Sequence, residues 1–108
     1  DLQSDYQLCR RPDTLYWRED NLRELLKVLV TEYQCYDVLI EAGASVAGSF
    51  LQQQLVDELI VYQAPCLLGQ KARAMVDINP LSLAQQLRFD IQCHEQLGSD
   101  LKLTLLPI

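Results

Sequence analysis

The sequence predicts an α/β fold: a mostly parallel sheet with flanking helices that ends in an antiparallel hairpin. Three observations carry this expectation. Leu22, Leu25, Leu26, Leu29, Val30 and Tyr33 form one apolar stripe at helical period. Val38-Leu39-Ile40 is a consecutive apolar run leading into a small-residue turn and a second helix. Residues 87–95 and 101–106 alternate apolar and polar on either side of Gly98-Ser99.

Taken in order, Ser4 to Cys9 alternates and reads as a short strand, which Arg10-Arg11-Pro12-Asp13 breaks as a turn. Asp20 is the expected N-cap of the first helix, and Glu24 lies near its positive end. Residues 37–42 are expected to form a strand covered on both faces. Ser45 is the expected N-cap of the second helix, which runs to about Gln54. Gly48 inside that helix costs about 1 kcal/mol relative to Ala. A helix accepts this where something approaches its backbone, either a neighbouring strand or a ligand. Leu59-Ile60-Val61-Tyr62-Gln63-Ala64-Pro65 reads as a second buried strand, ended by proline. Residues 70–83 lack regularity and are expected to be a surface excursion over a cleft.

The chain has 108 residues and fits one domain with a modest core. Its formal net charge of -6 disfavours nucleic acid and anionic membrane surfaces as partners. No apolar run approaches the ~20 residues that span a bilayer. Residues 1–5 carry neither a basic nor an apolar signal segment. Asp1 is not expected to be the native start, and a fragment or processed product is the expectation. Cys9, Cys35, Cys66 and Cys93 are scattered, without a C-x-x-C pair. They are expected to be reduced, half-buried thiols of a cytoplasmic protein. With His94 as the single histidine, no metal site is expected.

The chemistry concentrates in residues 41–49. Glu41 stands at the expected carboxyl end of a strand, where ligands of open α/β sheets gather. It reads as a contact to a polar heterocycle or sugar hydroxyl, as a solvated strand-end acid, or as a cap for a neighbouring backbone. Gly43, Ala44, Ser45, Val46, Ala47, Gly48 and Ser49 are nearly all small and precede or open a helix, a place where backbone N–H groups hold phosphate. The stretch is neither a full G-x-G-x-x-G nor a Walker A loop, so close helix–sheet packing is the competing reading. Asp57-Glu58 reads as a solvated strand start or as a pair for an Arg or Lys, and His94 as a surface residue on the polar phase of the hairpin. No G-x-S-x-G or catalytic base pattern accompanies Ser45 or Ser49, and no catalytic residue is assigned.

Three ordered motifs carry a resemblance. They are Leu39-Ile40-Glu41-Ala42-Gly43-Ala44-Ser45-Val46-Ala47-Gly48-Ser49-Phe50-Leu51, then Leu55-Val56-Asp57-Glu58-Leu59-Ile60-Val61-Tyr62-Gln63-Ala64-Pro65 with Leu67-Leu68-Gly69, and the closing Gly98-Ser99-Asp100-Leu101-Lys102-Leu103-Thr104. Together they resemble the C-terminal part of the reductase domain of the bifunctional riboflavin biosynthesis deaminase/reductase, of the dihydrofolate-reductase-like superfamily. The resemblance implies NADPH as cofactor and hydride transfer to the ribose of a phosphoribosylaminopyrimidine, giving the ribitylamino product. It implies that Glu41 contacts substrate and that Gly43 to Ser49 line the NADPH phosphates. Ala42 stands where the family commonly has glycine, and Cys66 where it often has lysine. The family's N-terminal strands and its zinc deaminase motifs, H-x-E and C-x-x-C, do not occur in this chain. The 108 residues alone are therefore expected to lack turnover. Exposed sheet edges and apolar faces imply self-association, as a homodimer. The alternatives are a related dihydrofolate-reductase-like pyrimidine or pterin reductase, or a non-catalytic module of the same fold.

Overall fold

The computed structural model describes residues 11–18, 20–79 and 81–108. The strand expected at Ser4 to Cys9 lies outside them. The chain divides into two compact units, residues 1–38 and 39–108.

In the first unit, Arg11 to Thr14 forms a turn closed by the Thr14 N–H on the Arg11 carbonyl at 3.3 Å. Helix α1 spans Leu22–Tyr33. Its N-cap is Asn21 rather than Asp20: the Asn21 Oδ1 accepts the Glu24 N–H at 3.1 Å. Either side chain can cap, and the first helical residue decides which one does. Leu22, Leu25, Leu26 and Leu29 of the expected stripe are half-buried, while Val30 and Tyr33 remain exposed. The helix ends at Gln34 in the left-handed conformation, with the Cys35 N–H on the Leu29 carbonyl at 2.9 Å and the Gln34 N–H on Val30 at 3.2 Å. This is the pairing that satisfies the last carbonyls of a helix.

The second unit holds helix α2, Ala44–Gln52, and three strands: β1, Leu59–Gln63; β2, Phe89–Leu97; and β3, Asp100–Pro107. The sheet order is β1-β3-β2 and both pairings are antiparallel. The hairpin is as expected, with Gly98 at φ +62° in the first position of a two-residue turn.

The mostly parallel sheet is corrected among the described residues. Residues 37–42 join no ladder, and Val38, Leu39 and Ile40 are 44%, 77% and 37% exposed. A strand is a pairing, and an apolar run without a hydrogen-bonding neighbour stays irregular. β1 is likewise an edge strand rather than one covered on both faces: Leu59 and Val61 are half-buried, Ile60 and Tyr62 exposed.

Register adds a feature absent from the sequence pattern. Ile91 pairs with Leu105 but Cys93 pairs with Thr104, so Gln92 is the extra residue of a β-bulge. Opposed residues share a face. Phe89 and Ile91 therefore lie with Leu105, but beyond the bulge it is His94 and Gln96 that lie with Leu103 and Leu101, next to Val61. Cys93 moves to the opposite face. His94 is exposed, as expected, but it stands on the leucine face of the sheet and not on a polar one.

The apolar core of the described residues is small. Phe50 and Leu51 of α2 are 4% and 8% exposed, and the glycine beside them, Gly48, is also buried. The three described cysteines, Cys35, Cys66 and Cys93, are free and exposed rather than half-buried.

Candidate functional site

The site is built from the start of α2. Its N-cap is Gly43, in extended conformation at φ -68°, and no side chain caps it. Ser45 is therefore not the cap but the second helical residue. Its carbonyl accepts the Ser49 hydroxyl one turn on, at 3.1 Å. The first helical bond runs from the Ala47 N–H to the Gly43 carbonyl at 3.1 Å. The N–H groups of Ala44, Ser45 and Val46 precede it and meet no acceptor among the described residues. No acidic side chain occupies the first turn, so the positive end of the helix dipole is left uncompensated from within. Gly43 adds room: a Cβ there would meet nothing within 4 Å. Ser45 and Val46 are exposed and Ala44 and Ala47 half-buried. An anion can thus reach three backbone donors, held by dipole and hydrogen bonds without a lysine or arginine.

Glu41 lies two residues before Gly43 in irregular, exposed chain, not at the end of a strand. Among the described residues no hydrogen bond or ion pair occupies its carboxylate. Three residues of extended chain separate it from Ala44, so its Cα lies within about 11 Å of the helix start.

Gly48 departs from the expectation. A Cβ there would lie 2.8 Å from the carbonyl carbon of Asp77 and closer still to its oxygen. The Asp77 N–H also donates to the Ala44 carbonyl at 2.9 Å. The close approach that Gly48 allows is therefore made by the chain itself, from the irregular stretch of residues 70–83, and neither by a strand nor by a ligand. Of the seven residues expected at the cofactor, Gly43, Ala44, Ser45 and Val46 present backbone to solvent at the helix start. Ala47 and Ser49 continue the helix, half-buried, and Gly48 lies under Asp77. The role of Asp77 was hidden in the sequence. The costly glycine in mid-helix was the signal, but it does not say what approaches.

A separate open concavity of 280 Å³ lies at the far end of the sheet, lined by Gln63, Pro65, Gln96 and Asp100 among others. None of the expected site residues reaches it. It lacks the converging donors that the start of α2 has, so its size alone does not make it the better candidate. Among the described residues no three His, Cys, Asp or Glu side chains cluster as metal ligands. No described helix is long and apolar enough to cross a membrane.

The RibD C-terminal domain family model matches residues 4–103. The chain belongs to this family. Riboflavin biosynthesis protein RibD of Haemophilus influenzae is 39% identical over 94 residues, which are 86% of this chain and 25% of that protein. The 5-amino-6-(5-phosphoribosylamino)uracil reductase of Buchnera aphidicola subsp. Acyrthosiphon pisum is 34% identical over 112 aligned residues, covering 98% of this chain and 54% of the relative. A solved structure of Acinetobacter baumannii RibD superposes with a TM-score of 0.81 at 49% identity, over 85% of this chain and 26% of that one. The chain thus spans between a quarter and about half the length of these RibD-family relatives. The candidate turn, the whole of α2, and the hairpin up to Leu103 fall within the stretch that the RibD C-terminal domain model matches.

Proposed function

We propose that this chain is the C-terminal portion of an NADPH-dependent 5-amino-6-(5-phosphoribosylamino)uracil reductase of riboflavin biosynthesis, and that the start of α2 holds the cofactor's phosphate. The names of the Haemophilus and Buchnera relatives support the reaction class. The observation that carries the site is the open first turn of α2, with three N–H donors that meet no acceptor among the described residues and no capping or acidic side chain. A pyrophosphate or phosphate fits such a turn in charge, in donor geometry and in the space beside Gly43.

In this reading Ala44, Ser45 and Val46 bind and orient the anion through their backbone. Gly43 keeps the approach clear of a side chain. Glu41, without a partner among the described residues, accepts hydrogen bonds from the phosphoribosylaminopyrimidine and fixes its position next to the cofactor turn. When bound, NADPH supplies the hydride that reduces the ribose carbon. The protein's share of the rate is orientation and electrostatics. The complete domain is proposed to have the dihydrofolate-reductase-like fold, in which residues 37–42 pair with strands from the remainder of the reductase. Their exposed apolar side chains support that pairing. A homodimer working in the cytoplasm is part of the same proposal, supported by exposed Ile60, Tyr62 and Leu97 on one face of the sheet.

The test compares two preparations in NADPH oxidation with the phosphoribosylaminopyrimidine. The full-length protein is expected to turn over as a dimer by light scattering, and the isolated 108 residues to show no turnover. A full-length protein that is inactive with this substrate contradicts the proposed reaction, and a full-length monomer contradicts the dimer.

A further inference from the structure

Residues 64–75 are exposed throughout, but Val76 and Ile78 are half-buried on either side of exposed Asp77. At that point the chain lies backbone to backbone on α2. The Asp77 N–H donates to the Ala44 carbonyl at 2.9 Å, the same carbonyl that faces the Gly48 N–H in the i→i−4 pattern of the helix. The Asp77 carbonyl fills the space that a Cβ on Gly48 would need. Gly48 is one of the three residues of α2 that are buried. Two contacts four residues apart on one helix, one at Ala44 and one at Gly48, fix both the position and the rotation of its first turn.

We propose that residues 76–78 are a positioning strap that sets the first turn of α2, and with it the N–H donors of Ala44, Ser45 and Val46. The inference rests on the reading of that turn as the cofactor-phosphate site, and it adds a residue outside the expected site to its construction. The strap acts through backbone atoms. The side chain of Asp77 is exposed and makes no hydrogen bond among the described residues, so residue identity at position 77 matters only where it changes the amide. The mid-helix glycine is then retained for the strap, although alanine would favour the isolated helix by about 1 kcal/mol.

The test uses the full-length protein, with NADPH affinity measured by titration and local opening by hydrogen–deuterium exchange. Gly48→Ala is expected to raise the NADPH Kd roughly tenfold, since small displacements of positioning groups cost one to two orders of magnitude. It is also expected to speed exchange over residues 74–79 while leaving Phe89–Leu97 of β2 unchanged. Asp77→Pro removes the amide without touching the helix and is expected to act in the same way; it carries the test if Gly48→Ala does not fold. Asp77→Ala keeps the amide and is expected to change Kd less than about twofold. Faster exchange over residues 74–79 with an unchanged Kd overturns the strap. An unchanged Kd in Gly43→Val, which leaves the strap alone, overturns the site reading instead.

Discussion

Gly43→Val in the full-length protein is expected to weaken NADPH binding by roughly a hundredfold with the fold intact. The magnitude follows from the loss of charge-assisted hydrogen bonds to backbone donors, each worth about 1.5–3 kcal/mol. The substitution is clean for structural reasons. Gly43 sits at φ -68°, which valine adopts without strain, and a Cβ there meets nothing within 4 Å. Exchanging glycine for a β-branched residue at an N-cap costs about 1 kcal/mol or less. What valine does add is a branched side chain at the mouth of the turn, where a phosphate must come within hydrogen-bonding distance of Ala44, Ser45 and Val46. A titration with NADPH checks it, and a Kd within twofold of the parent removes Gly43 from the site. Gly48→Val, which looks equivalent in the sequence, would not serve as this test. Its side chain would collide with the Asp77 backbone, so a loss of binding would not distinguish a blocked site from a displaced strap.

Glu41→Gln is expected to leave NADPH affinity within about twofold and to lower turnover by roughly a hundredfold, the scale set by lost positioning and electrostatic stabilisation. Glu41 is exposed and has no partner among the described residues, so removing its charge should change stability by less than about 0.5 kcal/mol. The amide keeps the shape and one acceptor oxygen but loses the charge that strengthens a hydrogen bond to substrate. The split between binding and turnover separates a substrate contact from a cofactor contact. Weakened NADPH binding with unchanged kcat would assign Glu41 to the cofactor, and no change in either would leave it a solvated acid. Steady-state kinetics on the full-length protein, with each substrate varied in turn, reads the split.

How far the sequence reached can be argued element by element. The stripe from Leu22 to Tyr33 foretold α1 because a period of 3.6 residues has one structural solution. The alternation around Gly98-Ser99 foretold β2 and β3 because both partners of that ladder are present and adjacent in the chain. Residues 37–42 failed as a strand for the opposite reason: an apolar run records one side of a pairing, and no partner for it lies among the described residues. The caps moved by one or two positions. Asp20 and Asn21 are both competent, and Ser45 was preferred to Gly43 on side-chain chemistry that the helix does not use. The bulge at Gln92 was invisible because the apolar–polar alternation reads straight through it to Cys93, although the register changes face there.

The site was legible in part. Small residues opening a helix marked the turn, and Gly43 to Val46 are where an anion site would be built. The same small-residue pattern runs on to Gly48, where the Asp77 backbone fills the space; composition cannot tell a glycine that admits a ligand from one that admits the chain's own backbone. The distinction came from Asp77, 29 residues downstream of Gly48, within a segment without periodicity. Long-range backbone contacts of this kind leave only a glycine as their trace.

The most direct measurement of the central claim follows the backbone amides of Ala44, Ser45 and Val46 by NMR as NADPH is added to the full-length protein. The account predicts that these three, which lack acceptors among the described residues, shift downfield together and gain protection from exchange at the titration midpoint, with β2 and β3 unaffected. NADPH binding that leaves all three unchanged would contradict it.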